Sequence, residues 1–147
     1  MACPFFYPIE PFDDKRWNPR PQLPLGNPYE GECRAAAGPC RPNEQELKTL
    51  CNMGYARSKC ARFPLDCRVD AVRFMVNQDN GQTVVISFVQ EYEHRPADYG
   101  KLEYSAAARQ FVSPHPDPVV NQQAAAYVRA YLQRKAAPAA AGGPSRC

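Results

Sequence analysis

Of the 16 prolines in this 147-residue chain, Pro4, Pro8, Pro11, Pro19, Pro21, Pro24, Pro28, Pro39 and Pro42 crowd its opening. Each fixes its own φ and removes a backbone donor, so residues 1–42 can sustain neither a helix nor an inner sheet strand. Yet Phe5, Phe6, Tyr7, Phe12, Trp17, Leu23, Leu25 and Tyr29 run through the same stretch. A disordered tail would not carry so many large apolar groups. The expectation is an extended arm, wrapped over the rest of the fold with its aromatics in the core. Ordering it costs roughly 1–2 kcal/mol of backbone entropy per residue. Something must fasten it, and Cys3 near its start and Cys33 near its end are placed to do so.

Beyond the arm the periodicity changes. Asn43 with Glu46 three residues later makes a capping box, and Leu47, Leu50, Cys51, Gly54 and Tyr55 follow at helical spacing. That predicts a helix ending near Ala56 or Arg57, with Cys51 turned inward among the leucines. Residues 69–93 read as a β-hairpin, with Val72, Phe74 and Val76 alternating and Asp79-Asn80-Gly81 supplying a turn longer than two residues. Thr83–Val89 is the most β-prone run and the expected central strand. A third strand is expected at Lys101–Ser105, after a loop at His94–Gly100.

Asp117 and Pro118 then open a C-terminal helix, as cap and first helical residue. Its stripe of Val120, Ala124, Tyr127, Val128, Tyr131 and Leu132 suits a sheet-covering face. The predicted class is α+β: about three antiparallel strands packed by a C-terminal helix, with the arm and one further helix. The expected organisation is a single domain over residues 1–135: arm 1–42, helix 43–57, sheet 69–105 and helix 118–136. Residues 136–147 form a flexible tail.

Seven cysteines accompany this framework. The opening residues lack the basic start and apolar run of a secretory signal, and no stretch approaches the eighteen or so apolar residues of a membrane span. A cytoplasmic location is therefore expected, where thiols stay reduced and disulfides are rare. Several of the cysteines are then better read as ligands of a metal or cluster. Their spacing, Cys33-x6-Cys40-x10-Cys51-x8-Cys60-x6-Cys67 with Cys3 far upstream, contains no Cys-x2-Cys pair. That excludes the zinc-ribbon, bacterial-ferredoxin and thioredoxin-type signatures. What remains is a site built from separated segments with one thiol each, which suits a [4Fe–4S] cube because its corners point apart.

Cys51 on the helix and Cys60 just after it share a site easily, and Cys33 ends the Gly26–Glu32 loop. Cys3 precedes a proline. Cys40 and Cys67 stand as substitutes. The motifs Cys3-Pro4-Phe5-Phe6, Leu23-Pro24-Leu25-Gly26…Gly31-Glu32-Cys33 and Cys51-Asn52-Met53-Gly54-Tyr55-Ala56…Cys60…Pro64 resemble a family of small bacterial proteins of unassigned function. Asp70–Phe74 and His115–Pro118 add to the likeness. The resemblance implies no activity; it singles out Cys3, Cys33, Cys51 and Cys60 and leaves out Cys40, Cys67 and Cys147.

Bland readings stand beside these. A buried cysteine is often only a small apolar residue. Arg57, Lys59, Arg62 and Arg68 either balance thiolate charge or form an ordinary solvated stretch. His94 reads as a loop residue and His115 as a turn or capping residue. Asp13-Asp14 and Glu91/Glu93 are carboxylates without a site signal, the latter two expected on a solvated strand face. A net charge of +3 is too small for a nucleic-acid footprint. The expected function is binding of an iron–sulfur cluster for structural or electron-transfer ends, with a protein partner possible. The alternative is a structural Zn²⁺ in an interaction module, and a third reading is a cysteine enzyme.

Overall fold

The β-branched run from Thr83 sits where its composition puts it, in the middle of a sheet. The computed structural model describes residues 1–12 and 23–136. Its elements are β1 (Phe6–Pro11), β2 (Tyr29–Cys33), α1 (Glu44–Glu46, continuing as a π-helical turn Leu47–Cys51), β3 (Ala71–Asp79), β4 (Thr83–Tyr92), β5 (Arg95–Ser105), β6 (Gln110–Phe111) and α2 (Pro118–Ala136). The class is α+β. Strands β3-β4-β5-β6 form an antiparallel meander, and β1 and β2 form a separate antiparallel ribbon. Among the described residues no helix is long and apolar enough to cross a membrane. Trp17, Asp13-Asp14 and the tail with Cys147 lie outside the described residues.

β4 pairs with β3 on one side and β5 on the other. Its alternate residues Val84, Ile86 and Phe88 pack with Leu102 and Phe111 against Ala124 and Val128 of α2. The Asp117 carboxylate caps α2 by accepting from the Val119 N–H at 2.9 Å. At the other end Asp79 accepts from Lys135 Nζ (2.6 Å) and Tyr131 Oη (2.8 Å), pinning α2 to the β3–β4 turn.

The sheet has four strands where about three were expected. β6 is only two residues long, too short for alternation to show. The loop expected at His94–Gly100 is instead strand, because β5 begins at Arg95 and pairs with Tyr92. The turn is just Glu93-His94, both left-handed (φ 54° and 63°). Two such residues suit a tight hairpin, but Asn-Gly is the usual signal and is absent. Tertiary contacts hold the conformation instead. The Glu93 N–H donates to Asp70 Oδ2 at 2.8 Å, and the His94 ring stacks on Tyr55 at 4.3 Å.

The arm is also more regular than predicted. β1 carries Pro8 and Pro11 because a two-stranded ribbon leaves an outer edge where no donor is needed. Gly31 faces Pro8 so closely that a Cβ there would lie 2.0 Å from the Tyr7 carbonyl oxygen. The expected insertion of aromatics holds for Phe6 and Tyr29, both buried.

The predicted 43–57 helix starts on its capping box but stops at Cys51. Asn52 ends it. Its buried carboxamide donates to the Leu47 (3.0 Å) and Tyr29 (2.9 Å) carbonyls and accepts from the Tyr29 N–H (3.1 Å). A side chain that serves backbone groups in this way competes with helix continuation. Gly54 and Tyr55 then turn left-handed, at φ 81° and 56°. Replacing Asn52 with Ala strands Tyr29 and Leu47 backbone groups in the core, at about 1–3 kcal/mol per unmet group. We expect N52A to lower the denaturant midpoint of the metal-free chain by about 2–4 kcal/mol equivalent, read by urea unfolding.

Candidate functional site

The Cys-Pro-Phe-Phe motif is a turn. Pro4 takes the second position, and the Phe6 N–H closes the turn onto the Cys3 carbonyl at 3.1 Å. The turn is anchored on both sides. Ala2 exchanges backbone hydrogen bonds with Val72 at the start of β3 (2.7 and 2.8 Å), and the Cys3 N–H donates to the Cys51 carbonyl at 3.1 Å.

Three other segments arrive at the same place. Cys33 ends β2 in register with Phe6, and the following Arg34 N–H donates to the Phe5 carbonyl at 2.8 Å. Cys51 is the last residue of the π-helical turn. Cys60 follows in a turn made by its own N–H bonding Ala56 O at 2.8 Å, and it accepts from the Phe63 N–H at 3.1 Å. Phe63 packs edge-on against Phe5 at 5.5 Å. Cys3, Cys33 and Cys51 are 9%, 9% and 8% exposed. Cys60 and Cys67 are half-buried, and they pack on the apolar cluster that contains Cys3, Cys51, Leu47, Ala56 and Phe63.

Burial dominates the electrostatics of the thiols. It pushes the Cys3 thiol from an ordinary 9.0 up to about 12, eased by the Phe5 N–H and reinforced by Cys33, Cys60 and Cys67. Burial raises Cys51 too, with Cys3 and Cys33 next in importance and Cys60 also contributing. Cys3 and Cys51 share one apolar cluster, Cys60 and Cys67 pack against it, and Cys33 lies in register with Phe6 of that cluster. Cys40 stands opposite Cys33 across an isolated antiparallel bridge. Among the described residues no three Cys, His, Asp or Glu side chains are grouped closely enough to hold a single metal ion.

The basic residues divide their duties. Arg57 pairs with Asp70 at 2.6 Å and donates to the Leu65 and Cys67 carbonyls, stapling the 57–70 loop. Arg68 lies over the Tyr92 ring. Arg62 bridges Glu46 at 3.0 Å, and that carboxylate first, with Cys33 next, raises its guanidinium above the ordinary value. The histidines serve other ends. His94 stacks on Tyr55, and His115 accepts from the Asp117 N–H through Nδ1. Glu91 corrects the expected solvated face: it is buried, accepting from Tyr55 Oη at 2.6 Å and Arg73 Nε at 2.9 Å. These bonds, the tyrosine's first, hold its carboxyl below the ordinary range despite burial. Glu93 sits in the β4–β5 turn. A surface cavity of about 660 Å³ lies between Tyr104, Arg109 and α2 and is lined by none of the cysteines.

Two positioning residues escaped the sequence reading. Gln123, fully buried, donates from Nε2 to both the Cys3 and Phe6 carbonyls at 2.7 Å, while its Oε1 has no partner. Its signal was present: a polar residue three positions from Val120 and from Ala126, on an otherwise small and apolar face. Asn52 is the other, and its position directly after Cys51 was the clue.

The raised thiols have a pH consequence. Folding favours the protonated sulfur, so this contribution to stability is complete below pH 9.0 and is lost as pH climbs toward about 12. The metal-free, reduced chain should therefore lose thermal stability between those limits, and Cys3→Ala should flatten the decline; calorimetry under reductant checks both.

Comparison with protein-family models, with curated proteins and with solved structures finds no match for this chain.

Proposed function

We propose that this chain binds an iron–sulfur cluster of the [4Fe–4S] type through the thiolates of Cys3, Cys33, Cys51 and Cys60. The observation that carries the reading is that Cys3 and Cys51 share one apolar cluster with Cys60 packed against it, while Cys33 ends β2 in register with Phe6 of the same cluster. Ligands drawn one each from separate segments suit a polynuclear centre, whose corners point apart, better than Zn²⁺, whose tetrahedral bonds are only about 2.3 Å long.

The surroundings support the same reading. N–H groups directed at ligand sulfurs stabilise negative charge and tune cluster potentials. Here the Phe5 N–H eases the burial-raised Cys3 thiol, and Cys33 is among the groups that raise the Arg62 guanidinium. Leu47, Ala56 and Phe63 keep the site apolar, and Phe5 packs beside them. When bound, the cluster supplies either one-electron chemistry or a cross-link among four otherwise separate segments. The chain's own part is to hold the ligands, release their protons on binding and exclude water. The six described cysteines are free thiols, which suits a reducing compartment such as the cytoplasm.

Reconstitution without oxygen, using ferrous iron and sulfide, tests the proposal. We expect a brown protein with about four iron and four sulfide per chain. Serine at any one of Cys3, Cys33, Cys51 or Cys60 should bring iron well below stoichiometric, and Cys67→Ser should retain it. A colourless protein carrying one zinc per chain would replace the cluster by structural zinc. Folded protein that takes up neither metal would sink both readings. Selective alkylation of one thiol at mildly acidic pH would point to a reactive cysteine instead.

A further inference from the structure

Cys33 and Cys40 are not merely near one another. The Cys33 N–H donates to the Cys40 carbonyl at 2.7 Å, and the Cys40 N–H donates back to the Cys33 carbonyl at 3.2 Å. That double exchange defines a hydrogen-bonded antiparallel pair, in which the Cα atoms stand about 5.5 Å apart and both side chains leave the same face. Disulfides span Cα separations of roughly 4.4–6.8 Å, most often near this value.

From this geometry we infer that Cys33 and Cys40 form a reversible cross-strand disulfide. Directly opposed Cβ atoms in such a pair must draw together by about 1 Å to close the bond. The six-residue connection Arg34–Pro39 gives room for that, being exposed from Ala36 to Pro39. A bond closed under slight strain, with Cys40 partly open to solvent, is readily reduced, as regulatory disulfides are.

The oxidant is a small disulfide of the glutathione class. The Cys40 thiolate, on the more open side of the pair, attacks one sulfur of oxidised glutathione and expels one glutathione thiolate. Cys33 then attacks the Cys40 sulfur of the mixed disulfide and expels the second glutathione. Two protein thiols are oxidised to one disulfide, one glutathione disulfide is reduced to two thiols, and the two thiol protons pass to the departing thiolates. The pairing stands by itself. Its consequence rests on the cluster reading: with its sulfur in the disulfide, Cys33 leaves the four-thiol site and the cluster cannot load.

The experiment uses the full, reduced, metal-free chain in anaerobic glutathione buffers of graded ratio. Each sample is quenched with an alkylating agent and digested with trypsin. Cleavage after Arg34 puts the two cysteines in separate peptides, so mass spectrometry reports their cross-link directly. We expect the Cys33–Cys40 link to be the first to form and to vanish on reduction. Initial oxidation at other pairs, or free Cys33 and Cys40 in fully oxidised glutathione, would overturn the inference.

A second measurement reads the coupling. Pre-oxidised wild type should take up at least tenfold less iron than reduced wild type, whereas Cys40→Ser should load equally after either treatment. Equal sensitivity of the variant would refute the coupling. A chain that forms the cross-link but takes up no iron even when fully reduced would end the cluster reading and leave the disulfide standing.

Discussion

One buried carboxamide joins the two halves of this molecule. Gln123 projects from α2 toward the opening turn and bonds the carbonyls of Cys3 and Phe6 at 2.7 Å each. α2 otherwise uses small residues on that side, with Ala126 and Ala130 letting the arm approach closely, and the Tyr29 hydroxyl donates to the Ala126 carbonyl at 2.8 Å. A proline-rich arm cannot satisfy its own backbone in a ladder of any length, so its carbonyls need side-chain donors. Gln123 and Asn52 supply them. Gln122 adds a third, donating to the Pro8 carbonyl at 2.7 Å. The unpartnered Gln123 Oε1 is a cost accepted for holding two acceptors with one nitrogen.

The consequence is a second core beside the one under the meander. The sheet and α2 make a conventional layer pair around Ile86 and Val128, and the arm adds a cluster around Tyr29, Phe6, Leu25 and the thiols. The thiols of Cys3, Cys51, Cys60 and Cys67 thus lie in or against this second cluster, at turns and element ends. Such a place is held by caps, turns and single bridges. It suits a centre that adds cross-links of its own, because any group binding several segments only in the folded state stabilises that state by mass action.

Charges are arranged around this site in a consistent way. Asp70 and Glu91 are buried but fully engaged, one by Arg57 and the Glu93 N–H, the other by Tyr55 and Arg73. They fix the 57–70 loop and the β4–β5 turn, not the thiols. Arg62 forms an ion pair with Glu46 that links it to the capping box of α1. The same box that starts the helix therefore also holds the Arg62 guanidinium.

The sequence by itself determined what depends on near neighbours: the capping box at Asn43, the central place of Thr83–Val89, the Asp117 cap and the bounds of α2. It also determined that aromatics of the arm would demand burial, as Phe6 and Tyr29 do. It misjudged the helix after Cys51, since Asn52 stops that helix through Tyr29, a residue 23 positions away. It misjudged the Glu93-His94 turn, whose left-handed residues are held by Asp70 and Tyr55. Glu91 looked solvated because its partners come from other segments. Only the tertiary structure decided which thiols pack in or against one apolar cluster, because one-thiol segments leave no local spacing pattern and their meeting depends on backbone bonds such as Ala2–Val72 and Cys3–Cys51. It also set Cys40 opposite Cys33, a relation made by two hydrogen bonds across a turn that composition does not encode.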